Sequence, residues 1–441
     1  MLEDLLARWI TRQRWFAGKG RPIDTLRIES DTDLAGGLRH LIVEVAQGAV
    51  RDRYQVLVGT VPDLPDRLKH ALIGVADGQH FYDAVHDHEL THVLLEGMAH
   101  DTTSGPVRFR RVPGVEIGTS PRSLVLGAEQ SNTSLVYGEA YICKLFRRLI
   151  PGINPELEIT TALAGRGARH IAQPYGWMEA DLDGRATTLA IMQEYLPTAN
   201  DGWDLALASV RDLYGQLPGV TAAEAGGDFA AESYRLGVAT AEVHLELAAA
   251  FPTDVVEPPE VKRMIEGFWR NLERAVEEVP QLRRHVRVVE EAFHQVEAVT
   301  ARVPVQRVHG DYHLGQVMRT TTDWIILDFE GEPGQPLEER TALASPLRDV
   351  AGMLRSFDYA ARHLLADHPD AEELEERAVD WSTRNREAFL EGYVTGGGQV
   401  TEADSALLRA LEYGKAVYEV VYEARNRPSW LPIPLAAFRA R

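Results

Sequence analysis

The segment His309-Gly310-Asp311-Tyr312-His313-Leu314-Gly315-Gln316 sets a histidine two places before an aspartate and an amide five places after it. This is the H-x-D-x-x-x-x-N spacing of a phosphoryl-transfer loop. In such a loop the aspartate takes the acceptor's hydroxyl proton and the amide holds a metal ion. Asp311 is the candidate base, and His313 beside it is a candidate acceptor contact. Seventeen residues beyond Asp311, the apolar run Trp324–Leu327 ends in Asp328-Phe329-Glu330, where a metal-binding carboxylate belongs. If Gln316–Arg319 and Asp323–Phe329 form a hairpin turning near Thr322, Gln316 falls opposite Asp328. Their oxygens then converge on one hard cation, which fits Mg²⁺. Glu330 shares the face of Asp328.

Upstream residues supply what a nucleotide needs. Lys144, in the apolar strand Ala140–Phe146, is placed to contact α/β phosphates, with Glu158 on the following helix as its ion-pair partner. Lysine occurs only at positions 19, 69, 144, 262 and 415, so its use inside a strand is a specific choice of cation. The loop Gly127–Thr133 lacks G-x-G-x-x-G and would cover phosphates through Gln130, Ser131, Asn132, Thr133 and backbone N–H groups. Gln193, Glu194 and Tyr195 end a later strand and suit a hinge that hydrogen-bonds adenine. Each pattern alone has a plainer reading: a structural His–Asp pair, a strand cap, a solvated helix face. Their order along the chain selects phosphoryl transfer, with ATP and Mg²⁺ as cofactors.

These residues need elements to hold them. Residues 1–100 read as a small α+β unit, with Leu5, Leu6, Trp9 and Ile10 at helical spacing and strands at Leu41–Ala46 and Tyr54–Leu57. Residues 101–197 read as a β-rich lobe. Strands Ser123–Leu126, Ser134–Tyr137, Ala140–Phe146, Tyr175–Ala180 and Ala186–Glu194 are interrupted by a helix from Pro155 to Ala164. Residues 198–441 read as helical, with one β-rich insert at 304–330. The fold class is α+β: a bilobal, protein-kinase-like arrangement behind an N-terminal α+β cap.

Three blocks carry a family resemblance: Arg14-Trp15-Phe16-Ala17-Gly18-Lys19, the segment His309–Gln316, and the long block from Tyr418 to Leu431. Along nearly its whole length the chain resembles the actinobacterial maltokinases. The resemblance implies transfer of the ATP γ-phosphoryl group to the anomeric hydroxyl of maltose. The product would be α-maltose 1-phosphate, for α-glucan (glycogen) synthesis. By motif match it implies Asp311 as base, Gln316 and Asp328 as magnesium ligands, and Lys144 on the phosphates. It also brings in an enzyme interconverting trehalose and maltose as a partner. Gln316 in place of Asn and Glu330 in place of Gly argue against a protein kinase.

A disaccharide site needs flat aromatic faces beside hydrogen-bonding groups. Tyr418, Tyr422, Glu423, Arg425, Asn426 and Trp430 offer both, and Arg355 and Asp358 on the helix after the metal aspartate join them as candidate acceptor contacts. Packing of a terminal helix would explain the same aromatics. A net charge of −20 excludes a nucleic-acid partner, which needs a basic face. Cys143 is the single cysteine, no long apolar run is present, and the start of the chain shows no signal peptide. Together these predict a cytoplasmic protein without a membrane partner. Three rivals stay open: a kinase of another sugar such as glucosamine, an aminoglycoside-resistance phosphotransferase, and a non-catalytic ATP-binding regulator.

Overall fold

A computed structural model describes residues 1–127, 131–298, 302–332, 334–366 and 368–439. The chain divides into two compact units, one of residues 1–164 and 172–197, the other of residues 165–171 and 198–441. Among the described residues, no helix is long and apolar enough to cross a membrane.

The first unit opens with helix α1 (Leu2–Ile10), whose Leu6, Trp9 and Ile10 are buried. An antiparallel sheet follows: β1 (Thr25–Ala35), β2 (Leu38–Gln47), β3 (Val50–Val61), β4 (Leu72–Ala76) and β5 (Gln79–Asp83), in the order β1-β2-β3-β5-β4. Trp15 and Phe16 fill its core, their rings 5.8 and 5.4 Å from that of Tyr54. Beside them, buried His40 is bonded to Gln55 at 3.0 Å. Burial outweighs that bond and pushes the imidazole down to about 4, so it sits in the sheet uncharged.

Helix α2 (His88–Ala99), capped by Asp87, leads to a second sheet. Its strands are β6 (Thr103–Ser104), β7 (Val107–Arg111), β8 (Ser123–Val125), β9 (Thr133–Tyr137), β10 (Tyr141–Leu145), β12 (Pro174–Leu182) and β13 (Arg185–Glu194). Their order is β6-β7-β12-β13-β10-β9-β8. Short β11 (Arg148–Leu149) leaves β10 and pairs with β3, so the two sheets share a continuous backbone connection. Helix α3 (Pro155–Ala164) starts where Asn154 Oδ1 accepts the N–H of Glu156 at 2.8 Å.

In the second unit β14 (Asn200–Asp201) precedes α4 (Gly202–Tyr214) and α5 (Ala230–Ala250). Then come β15 (Asp254–Val256), α6 (Pro258–Glu278), α7 (Val286–Glu297) and β16 (Val303–Val305). The hairpin β17 (Val317–Arg319) and β18 (Trp324–Ile326) is followed by α8 (Leu337–Arg340), α9 (Leu347–His363), α10 (Ala371–Thr395), α11 (Glu402–Asn426) and α12 (Pro432–Ala436). The insert expected at 304–330 is three short strands separated by loops. The earlier piece, residues 165–171, belongs here because Ile171 bridges Ile326 and His170 Nδ1 meets the Trp324 carbonyl at 2.8 Å.

Candidate active site

The loop bearing Asp311 is fixed from beneath. Asp349, fully buried near the start of α9, accepts the backbone N–H groups of His309 and Gly310 at 2.7 and 2.9 Å. Burial alone would raise its carboxyl, but bonding to His244 and these N–H groups holds it below the usual carboxylate range. His244 is itself held by the Tyr393 hydroxyl at 2.9 Å. Next in the same helix, Gly352 lets the loop approach, since a Cβ there would meet the Tyr312 carbonyl at 2.5 Å. The His309 ring, 3% exposed, reaches the Leu327 carbonyl at 2.7 Å and ties the loop to the end of β18. Asp311 itself stays accessible.

The hairpin differs by one place from the expected register. Val317 pairs with Ile326, so the residue opposite Gln316 is Leu327, whose N–H donates to the Gln316 carbonyl at 2.9 Å. The side chains of Gln316 and Asp328 still meet, with Nε2 to Oδ2 at 3.2 Å. The cause is the Asp328 backbone, which sits at φ +61 and swings its carboxylate back toward Gln316. Such a conformation is uncommon for a residue with a Cβ and collects at functional positions. The carboxylates of Asp328 and Glu330 have oxygens within 4.8 Å of one another. An amide and two carboxylates within reach are the hard oxygen donors that a Mg²⁺-type cation takes. Glu330 also faces Arg340 at 3.8 Å.

Beside Asp311 opens a cavity of about 390 Å³, within the size range of small-molecule sites. One wall is a stripe of α9, Gly352, Ser356, Tyr359 and His363, spaced three and four apart as one helical face requires. The opposite wall is Lys415 and Glu419 on α11, again four apart. Lys415 Nζ lies 3.7 Å from Asp311 Oδ1. The far end is aromatic: the His363 ring stands edge-on to Trp203 at 5.5 Å and to Trp430 at 4.7 Å. Arg427 covers the Trp430 ring at 4.1 Å. His313 lines the near end, its Nδ1 accepting the Gly315 N–H at 3.1 Å. Burial holds both His313 and His363 below the ordinary histidine value.

Of the acceptor contacts expected from sequence, His313 and Trp430 line this cavity. Arg355 and Asp358 do not; both are 1% exposed and bonded to each other at 2.9 Å. Arg355 also grips Glu419 with bonds of 3.0 and 2.7 Å, so it fixes the wall from behind. Glu423 is buried and bonded twice by Arg427 and once by Tyr359. Arg425 turns outward onto Glu278 of α6, and Asn426 bonds the Tyr422 carbonyl. Tyr418 and Tyr422 stack on one another at 6.4 Å and are largely exposed, outside the cavity lining. The wall residues Lys415, Glu419, Trp203, Tyr359 and His363 were not singled out from sequence. The scarcity of lysine was the one available signal, and it pointed to Lys415.

In the first unit, Lys144 meets Glu156 at 3.4 Å. Glu156 is 3% exposed, whereas Glu158, two residues on and turned to the other side of α3, is exposed. Glu156 was not singled out from sequence. Ser131 is exposed and Asn132 half-buried. The Thr133 hydroxyl accepts from Arg147 Nε at 2.8 Å, so it is turned inward rather than toward a ligand. Gln130 lies outside the described residues. Gln193 is buried in β13, and the N–H groups of Glu194 and Tyr195 donate to Gln173 and Ala140 carbonyls at 2.8 and 3.0 Å. A hinge there would have to meet adenine through other groups.

A β-rich unit bearing a half-buried strand lysine, and a helical unit bearing the His-x-Asp loop and an Asp–amide pair, define a phosphotransferase of the kinase class. The phosphotransferase enzyme family matches residues 122–403, and the chain belongs to it. The maltokinase N-terminal cap domain matches residues 9–87. A glucosamine kinase of Streptacidiphilus jiangxiensis is 30% identical over 333 residues, 72% of each chain. One from Mycolicibacterium smegmatis is 30% identical over 327 residues, 71% of this chain and 77% of that one. A solved glucosamine kinase in complex with glucosamine, ADP and inorganic phosphate has a TM-score of 0.72 at 23% identity, covering 99% of this chain and 97% of that one. That likeness shows the fold: α+β, kinase-like, with an N-terminal cap.

Proposed function

We propose that the protein is an ATP-dependent sugar kinase whose acceptor is the neutral disaccharide maltose, phosphorylated at its anomeric hydroxyl. The observation that carries this reading is the charge of the cavity wall. The charges of the lining are already matched: Glu419 is held by Arg355, Lys415 faces Asp311 and Arg427 bonds Glu423. A neutral polyol gains hydrogen bonds from such a wall, whereas an ammonium group would meet Lys415 and Arg427 with the lining carboxylate Glu419 already engaged. The aromatic far end suits the flat faces of a second sugar ring.

In this reading Asp311 orients and deprotonates the attacking hydroxyl, and Lys144 neutralises phosphate charge as it develops. Gln316 and Asp328, with Glu330 beside them, would hold Mg²⁺, which supplies charge neutralisation on the phosphates when bound. The names of the 30% relatives favour a second reading, an amino-sugar acceptor. The test is ATP consumption with Mg²⁺ against maltose, glucose, glucosamine, trehalose and an aminoglycoside, with phosphorus NMR of the product. An anomeric phosphate on maltose is the expected result. Turnover with glucosamine alone overturns the neutral-sugar reading, and nucleotide binding without any turnover points to a regulator.

A further inference from the structure

The Arg147 guanidinium, 2% exposed, has more assigned to it than a structural ion pair requires. Its Nη2 donates to Asp83 Oδ2 at 2.7 Å, at the end of cap strand β5. Its Nε donates to Thr133 Oγ1 at 2.8 Å, where β9 begins. Its face lies 4.9 Å from the ring of Trp15. The Arg147 carbonyl accepts the N–H of Gln55 in β3 at 2.9 Å. Carboxylate, hydroxyl, indole and strand amide hold the residue along different directions, and three of the four belong to the cap.

What this anchor controls lies close by. Arg147 follows β10, three residues after Lys144, and Thr133 pairs with Leu145 at the first rung of β9–β10. Parallel threads reinforce it. Gln55 Nε2 donates to the Phe146 carbonyl at 2.8 Å, and Arg148 bonds Asp52 at 2.7 Å. At the end of the preceding strand, Arg14 Nη1 reaches the Gly127 carbonyl at 3.3 Å. Of the Arg14-Trp15 pair singled out in sequence, Arg14 thus touches one end of the segment assigned to the phosphates and Trp15 reaches the other through Arg147. For stability alone an apolar side chain of similar volume would serve as well at a buried position. A planar guanidinium with donors fixed in a fork adds direction, which lysine does not reproduce.

We infer that Arg147 is a positioning residue for nucleotide binding: through it the cap, by Asp83 and Trp15, sets the β9–β10 pair so that Lys144 and the chain at Ser131–Thr133 stand in register for the phosphates. The inference rests on the proposed reading of Lys144 as the phosphate-contacting lysine.

The test uses the full-length protein. Affinity for Mg²⁺–ATP is read by direct binding, KM values for ATP and for the sugar by kinetics, and folding by thermal melting. Arg147→Met should weaken ATP binding by about tenfold or more, as loss of charge-assisted bonds at the anchor implies, while the sugar KM moves less than about twofold. Arg147→Lys should recover only part of the loss. Should Arg147→Met fail to fold, Thr133→Val keeps the Asp83 pair and removes one bond. It should raise the ATP KM by about threefold while the melting temperature falls by only about 2–4 °C. Wild-type ATP affinity in Thr133→Val, or an equal rise in both KM values, overturns the inference. Wild-type protein that binds no ATP overturns the proposed function instead.

Discussion

The two ends of the cavity beside Asp311 are built by different physics. The near end is held by buried charge: Asp349 grips two backbone N–H groups and is bonded to His244, which anchors the loop bearing Asp311. The far end is held by ring edges and a stacked guanidinium at Trp203, His363, Trp430 and Arg427. Hydrogen bonds to a buried carboxylate are directional and steep with distance, whereas ring contacts tolerate small shifts. Rate and acceptor choice should therefore respond to different residues.

Substitutions can break that separation. The largest effect is expected for Asp311→Asn, which keeps the shape of the near end and removes the proton acceptor. Turnover should fall by roughly a hundredfold or more, with acceptor affinity little changed. A variant with near-normal kcat would remove Asp311 from the role. Trp430→Ala should act on the other quantity, raising the acceptor KM by about tenfold through loss of aromatic contact while kcat stays within about threefold. A drop in kcat alone would show the two ends to be coupled.

The cavity histidines sharpen the comparison by pH. His313 and His363 are both held below the ordinary value of about 6.5, chiefly by burial, so the neutral forms persist as pH falls through that point. Protonation would add charge beside Lys415 and Arg427. The acceptor KM is expected to stay flat from pH 8 to about 6.5 and to rise only at lower pH. A rise already between pH 8 and 7 would contradict this environment. The smallest effect belongs to Arg425→Ala. Its pair with Glu278 is exposed and screened, so melting temperature and KM should match the wild type within error.

How legible each feature was in the sequence depended on how local its cause is. The His309–Gln316 loop and the Asp328 strand end are short-range patterns, and the structure brings Gln316 and Asp328 together. Their register was off by one because the turn spans Thr320 to Asp323, closed by the Thr320 N–H on the Asp323 carbonyl, and so centres ahead of Thr322. Glu156, which meets Lys144, was passed over because the letters do not say which carboxylate of the first helical turn faces the strand. Strand β1, with sequence TLRIESDTDLA, is a sheet-edge strand and largely exposed, and its polar residues hide the strand period. The cavity was harder still. Its walls come from α4, α9, α11 and the turn after it, and tertiary packing alone decides that Lys415 faces in while Arg425 faces out. The block Tyr418–Trp430 looked uniformly suited to sugar, yet Glu423 and Asn426 bond within the block and Arg425 bonds α6.

The seven residues 165–171 have a consequence for how this protein can be made. They join the helical unit by Ile171–Ile326 and His170–Trp324, yet the chain then returns to complete β12 and β13 of the other unit. During synthesis the first unit cannot close before residue 197, and by then a piece of the second has already left the ribosome. Cutting the gene at residue 197 would separate that piece from its partners. Two-fragment complementation should therefore succeed only if 165–171 is supplied to the helical half.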